Sequence, residues 1–186
     1  VAINIRKMVE NQCYDYKDFA VLYRANSLSR NYEEAFMKYG IPYKIFGGLK
    51  FYDRMEIKDI LAYLRIIDNK YDDISLKRII NVPKRSIGAK TIEKLESYAR
   101  QNNMSILDAM DEIDNIVSTT KTRESVKKFK VLISSLKSLS KVISVSELLE
   151  KVLENTNYKK IYLEENSIES QSRLEIIDEL KSVVKE

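Results

Sequence analysis

Gly47-Gly48-Leu49-Lys50-Phe51-Tyr52-Asp53-Arg54-Met55-Glu56-Ile57-Lys58-Asp59 divides this chain of 186 residues into two parts of different character. Two adjacent glycines carry the widest backbone freedom available and interrupt any regular pattern, which makes Gly47 and Gly48 candidate hinge residues. After them, Ile57, Ile60, Leu61 and Leu64 recur on one face of a helix, so Arg54 to Ile67 is predicted helical, with Asp53 and Glu56 at capping-box spacing.

Upstream of the glycines the pattern is different. Phe19-Ala20-Val21-Leu22-Tyr23 is a short apolar, partly aromatic run suited to a buried strand. Ser27 is placed to cap a helix through Glu33, Phe36, Met37 and Tyr39, which Gly40 stops, and Tyr43 to Phe46 follows Pro42 as a second strand candidate. This is a β-α-β unit. The polar residues Arg24 to Ser27 at the end of its first strand lie where open α/β sheets bind ligands. Val1, Ile5 and Met8 repeat at helical spacing from the first residue, and Leu174, Ile177, Leu180 and Val184 do so up to the last. With no initiator methionine, both ends are expected to be cuts in a longer protein.

Downstream, everything reads as helix. Segments run from Ile74 to Ile80, through Ile92, Leu95, Tyr98 and Ala99, from Ser105 to Ile113, from about Lys121 to Leu139, from Ser146 to Leu153 and from Ser167 onward, with Ser144 and Glu147 as a capping pair. The predicted class is therefore mixed: a partial α/β piece over residues 1–51, then a mainly α-helical unit over 52–186.

One turn in the helical part points to a ligand. Asn81-Val82-Pro83-Lys84-Arg85-Ser86-Ile87-Gly88-Ala89-Lys90-Thr91 carries three cations and opens into a helix. Pro83 fixes φ, and Gly88 permits close approach to the main chain and conformations barred to other residues. A helix N-terminus attracts anions through its unpartnered N–H groups and the positive end of its dipole. Lys84, Arg85 and Lys90 around such a terminus suit a phosphate backbone, although a solvated turn with incidental charge would use the same residues. Residues 1–100 hold 19 Lys and Arg against 13 Asp and Glu, whereas the remainder holds 13 against 15, so the basic half is the half for a polyanion.

Other chemistry is excluded by composition. A single cysteine, Cys13, permits no intramolecular disulfide, and without histidine the usual zinc sites and a Ser-His-Asp triad are impossible. There is no signal-peptide pattern and no apolar run long enough to span a bilayer, from which a cytoplasmic location is expected.

Ala20-Val21-Leu22-Tyr23-Arg24-Ala25-Asn26-Ser27-Leu28-Ser29-Arg30, Gly40-Ile41-Pro42-Tyr43, the Gly47 to Asp59 stretch with Leu61-Ala62-Tyr63-Leu64-Arg65, Asn81 to Gly88, and Ser170-Gln171-Ser172-Arg173-Leu174-Glu175 together resemble superfamily 1 DNA helicases of the PcrA, UvrD and Rep type, most strongly the PcrA branch. The likeness covers nearly the whole chain in the expected order. It implies that residues 1–51 are part of the second RecA-like motor subdomain, 2A, and that residues 52–186 are most of its helical insertion, 2B. It implies that Arg24, Asn26 and Lys50 touch single-stranded DNA. It implies also that Lys84, Arg85, Ser86, Ile87, Gly88, Lys90 and Thr91 surround the duplex contact. The family's Gly-Ile-Gly is here Ser86-Ile87-Gly88, and serine in place of the first glycine costs freedom at positive φ.

The resemblance further implies an ATP-driven, Mg²⁺-dependent translocase that unwinds 3′ to 5′ without reading sequence, with the other helicase subdomains as partners. This chain has no Gly-x-x-x-x-Gly-Lys-[Ser/Thr] loop and no acidic pair placed to hold Mg²⁺, so by itself it is expected neither to bind nor to hydrolyse ATP. Blander roles stay open: Arg24 paired with Glu33 or Glu34, Lys50 solvated, Arg54, Lys58 and Arg65 on a salt-bridged helix face, Tyr23, Tyr43 and Tyr63 in the core, Tyr52 undecided, Cys13 inert. Two other functions also stay open, a stand-alone DNA-binding module and a protein-docking scaffold.

Overall fold

Helical spacing of apolar residues organises the chain from residue 50 onward. The computed structural model describes residues 1–11, 14–24, 28–46 and 50–185. The calls on Cys13, Asn26, Ser27, Gly47 and Gly48 lie outside the described residues. The helices are α1 (Ala2–Glu10), α2 (Ser29–Lys38), α3 (Met55–Asp68), α4 (Asp73–Ile79), α5 (Ala89–Gln101), α6 (Ile106–Ala109), α7 (Ile113–Ile116), α8 (Thr120–Leu139), α9 (Val145–Thr156), α10 (Lys160–Glu165) and α11 (Ile168–Lys185).

The axis of the helical part is α3, which packs against α4, α8, α9 and α11. Tyr63, Ile66 and Ile67 in its second half join a large core with Leu76, Ile79, Leu95, Ile113, Phe129 and Ile133. Ile57 and Ile60 in its first half join a second core with Phe51, Leu149, Tyr158, Ile176 and Ile177. Each such side chain contributes about 1.5–3 kcal/mol relative to exposure, which is why the helix boundaries follow the apolar pattern closely.

Caps set the ends. Asp72 accepts from the Ser75 amide at 3.0 Å and the Ser75 hydroxyl at 2.6 Å, holding that carboxyl below its ordinary range. The predicted Ser144–Glu147 capping box is formed, with the Glu147 amide donating to Ser144 Oγ at 3.2 Å and the Ser144 amide to Glu147 Oε2 at 2.8 Å. The Asp53–Glu56 box is not formed: Arg54 stands at the cap position without a side-chain bond, Asp53 pairs with Lys58 at 2.8 Å, and Glu56 is buried. The stretch predicted as one segment from Ser105 is broken into α6, a 3-10 turn at Met110–Glu112, and α7.

Before residue 47 the fold departs from expectation. Among the described residues there is no strand pairing, so the β-α-β unit does not appear as a sheet; α2 forms, but both predicted strands run as non-helical, unpaired chain. They line a cleft of about 820 Å³ together with Tyr32 and Phe36 of α2. With the cleft between them, neither strand candidate offers its backbone groups to the other, which is the physical reason that no ladder closes. Only Ala2, Ile5 and Ile41 are buried together there, with Phe19, Val21, Phe36 and Tyr39 partly buried around them.

Polar bonds join the two parts. Buried Arg30 of α2 donates to Glu179 of α11 at 2.8 Å and to Glu34 at 3.2 Å, while Glu33 accepts from the Phe51 amide at 3.1 Å and the Tyr43 hydroxyl at 3.3 Å.

Candidate nucleic-acid interface

The turn between α4 and α5 is built from the inside by its arginine. Arg85 Nη1 donates to the carbonyls of Ile79 at 3.1 Å, Ile80 at 3.4 Å and Pro83 at 3.1 Å, and Nη2 donates to the Tyr63 hydroxyl at 2.7 Å. Tyr63 in turn donates to the Val82 carbonyl. Burial pushes the Tyr63 phenol up to about 12, against the pull of Arg85 in the other direction, so it remains a neutral donor. The guanidinium also lies over the Phe129 ring, 5.2 Å from its centroid. Asn81 Oδ1 fixes the other side of the turn by accepting from the Arg85 amide at 2.7 Å and the Ile87 amide at 3.4 Å.

This geometry sorts the residues that the sequence grouped together. Arg85 is turned inward as the turn's clamp. Ile87 is 1% exposed, its side chain a member of the large core and its amide already engaged, so it offers a ligand nothing. Lys84, Ser86, Gly88 and Lys90 are exposed and Thr91 is half-buried. Lys84 and Lys90 make no hydrogen bond or ion pair among the described residues.

The backbone of Ser86 stands where the expectation put it, at a position that favours glycine, while that of Gly88 does not use the freedom expected of it. Ser86 has φ +60°, the left-handed region, whereas Gly88 has φ −85° and ψ 167°, which any residue adopts. Gly88 is nonetheless open, with nothing within 4 Å of where a Cβ would stand. It is the N-cap of α5, which has no side-chain cap and no acidic residue in its first turn. Thr91 and Ile92 donate to the Gly88 carbonyl, while the Ala89 and Lys90 amides find no acceptor among the described residues. The exposed, uncapped start of α5 thus presents free backbone N–H groups and, on Lys84 and Lys90, point charges of the kind that attract anions.

Of the residues proposed for single-stranded DNA, Arg24 and Lys50 are described, and among the described residues no bond links them to the turn. Arg24 is exposed and is not paired with Glu33 or Glu34, which are engaged elsewhere. Lys50 is exposed, its ammonium 4.8 Å from the Tyr43 ring centroid. Tyr52 donates to Glu34 at 3.2 Å, Tyr63 is fully buried, and Tyr23 stacks on Tyr32 at 6.0 Å. The expected salt-bridged face of α3 is formed in part: Lys58 meets Asp53, but Asp59 reaches across to Arg78 at 2.7 Å and Tyr158 at 2.7 Å, and Arg54 Nε and Nη2 are buried without a partner.

The comparisons with known proteins agree over the full chain. The family described as UvrD-like helicase C-terminal domain matches residues 1–186. The chain belongs to the UvrD-like helicase C-terminal domain family. It is 50% identical over 171 residues to a Staphylococcus aureus protein named ATP-dependent DNA helicase PcrA, a match covering 92% of this chain and 23% of that protein. The protein of the same name from Staphylococcus epidermidis is 49% identical, with 92% and 24% covered. The chain thus spans about a quarter of the length of these curated relatives. Among the described residues of this family member, no group of His, Cys, Asp and Glu is placed to hold a metal ion, and no helix is long and apolar enough to cross a membrane.

Proposed function

We propose that this chain is the 2A/2B portion of a cytoplasmic, ATP-dependent DNA helicase that moves 3′ to 5′, and that its part in the work is to hold DNA. The observation that carries this reading is the exposed start of α5, where Lys84, Lys90 and the free Ala89 and Lys90 amides face solvent together on a chain that matches the helicase family throughout. Such contacts are made to phosphates and ignore sequence, which a motor stepping along any DNA requires. Residues 52–186 are the helical insertion, with Lys84, Ser86, Gly88, Lys90 and Thr91 at the duplex. Residues 1–51 belong to the motor subdomain, with Arg24, Asn26 and Lys50 on the single strand and Gly47-Gly48 as the hinge. The cleft flanked by two unpaired apolar segments supports that placement, because it is a gap of the kind that further strands of a motor sheet would fill.

ATP and Mg²⁺ fall to the rest of the parent protein. The parent is expected to unwind a duplex with a 3′ single-stranded tail and not one with a 5′ tail, consuming ATP, while the isolated chain hydrolyses none. Equal unwinding of both tails, or ATP hydrolysis by the isolated chain, would overturn the assignment.

A further inference from the structure

A second basic site lies beside the turn, where Arg85 meets α8 and α9. Arg85, Ser125, Lys128, Phe129, Leu132 and Asn155 line a cleft of about 350 Å³. Lys128 and Phe129 each lie three or four residues from Ser125 and from Leu132 along α8, so the four share one stripe of that helix, and Asn155 comes from the last turn of α9. The chemistry of the lining is one-sided. It holds two cations, a hydroxyl and a carboxamide over an apolar floor of Phe129 and Leu132, and no carboxylate.

None of the α8 and α9 polar groups is used by the fold. Lys128, Ser125 and Asn155 make no side-chain hydrogen bond or ion pair among the described residues, whereas their neighbours on α8 are engaged: Lys127 with Asp114 at 2.6 Å, Lys130 with Asp111 at 3.0 Å, and Lys137 with the Asp68 carbonyl at 2.7 Å. Arg85 spends Nη1 and one bond of Nη2 on the turn, and its Nε–H has no protein acceptor among the described residues. Two like charges facing one cleft repel unless an anion lies between them, and a concave wall concentrates their field.

We infer that this cleft binds a phosphate of the DNA backbone, as a second contact to the duplex held at the start of α5. The inference rests on the duplex reading of the turn and adds to it a site on α8 and α9. Arg85 couples the two, because the guanidinium that shapes the turn also forms a wall of the cleft. Lys128 supplies the point charge, and Ser125 and Asn155 supply neutral donors to the remaining phosphate oxygens.

The test is binding of the chain to a fluorescently labelled hairpin duplex across a salt series. Lys128→Ala is compared with wild type, with Lys84→Ala/Lys90→Ala at the turn, and with Lys141→Ala, an exposed lysine outside the cleft. Arg85 is left intact because its loss would dismantle the turn. Lys128→Ala is expected to weaken duplex binding at low salt and to make the dependence of log K on log salt shallower by about 0.9, the signature of one lost phosphate contact. Ser125→Ala/Asn155→Ala should weaken binding with the slope unchanged, and Lys141→Ala should change neither. Wild-type affinity and slope for Lys128→Ala, while the turn variant loses binding, would overturn the cleft and leave the turn standing; so would a loss of stability with no change in binding, which would make the role of Lys128 structural. If the turn variant binds as wild type does, the duplex reading falls and the cleft falls with it.

Discussion

From Phe51 to Leu180, buried side chains join two cores that share α3, while among the described residues of 1–46 only Ala2, Ile5 and Ile41 form a buried apolar cluster, and Leu22 and Phe46 stand 93% and 83% exposed beside a large cleft. The first region is no poorer in apolar residues than the second. In the helical region each apolar stripe meets another of the same chain, α3 packing on α4 nearby and on α8, α9 and α11 farther along, so the two cores close on themselves. In the first region the apolar runs are strand-like, and a strand needs a neighbour for its backbone as well as for its side chains. What separates the regions is thus whether the apolar runs find partners among the described residues: those of α3 do, whereas Leu22 and Phe46 stay exposed.

The largest effect expected from this contrast is in core truncation. Ile60→Ala should cost about 3–4 kcal/mol in urea unfolding, whereas Ile5→Ala, in a cluster of three buried members, should cost about 1–2 kcal/mol. Hydrogen exchange should show the same order, with amides of α3 and α8 far better protected than those of α1 and α2. Equal losses, or uniform protection, would remove the distinction.

Next in size is the division within the turn. Arg85→Ala strands the carbonyls of Ile79, Ile80 and Pro83 and the Tyr63 hydroxyl, and should cost about 3 kcal/mol; the exposed Lys84→Ala should stay within about 0.5 kcal/mol of wild type. Similar costs for both would contradict the inward placement of Arg85.

Smaller effects sit at the borders of the turn. Asp72→Ala removes the cap of α4 and should cost about 1 kcal/mol. Because the folded Asp72 carboxyl is depressed by Ser75, its contribution is complete above the unfolded-state value of about 3.9 and fades as pH falls through the lower folded value. The variant should therefore differ from wild type at neutral pH and converge with it in acid. Ser86→Gly should act in the opposite sense and stabilise by about 1 kcal/mol, because it relieves a left-handed serine. An unchanged midpoint would mean that φ +60° carries no cost there.

These contrasts also mark how far the sequence could be read. The helices α3, α4, α5, α8, α9 and α11 were legible because the period of their apolar residues is local, and the Ser144–Glu147 box because its bonds span three residues; the short α10 lay in none of the predicted segments. The predicted sheet does not appear among the described residues, since strand pairing depends on partners that an apolar run does not name. The turn was legible as a cation-bearing loop that opens a helix, but the division of labour among its cations was not. Arg85 differs from Lys84 and Lys90 in its forked headgroup, which the sequence shows, and in its inward placement, which is decided by Tyr63, 22 residues away, and by Phe129. The same distance in sequence hid the cleft, whose α8 and α9 residues carry no motif. Ser86 was flagged correctly as a residue where glycine is favoured, while Gly88 was credited with a freedom it does not use.

The most direct test of the central claim, that exposed lysines and free amides at the start of α5 hold duplex DNA, is the salt dependence of binding by Lys84→Ala/Lys90→Ala to a hairpin duplex with a 3′ tail. The account predicts a folded variant with weaker binding and a log K against log salt slope shallower by about 1.8, two phosphates at about 0.9 each. A folded variant with the wild-type slope and affinity would contradict it.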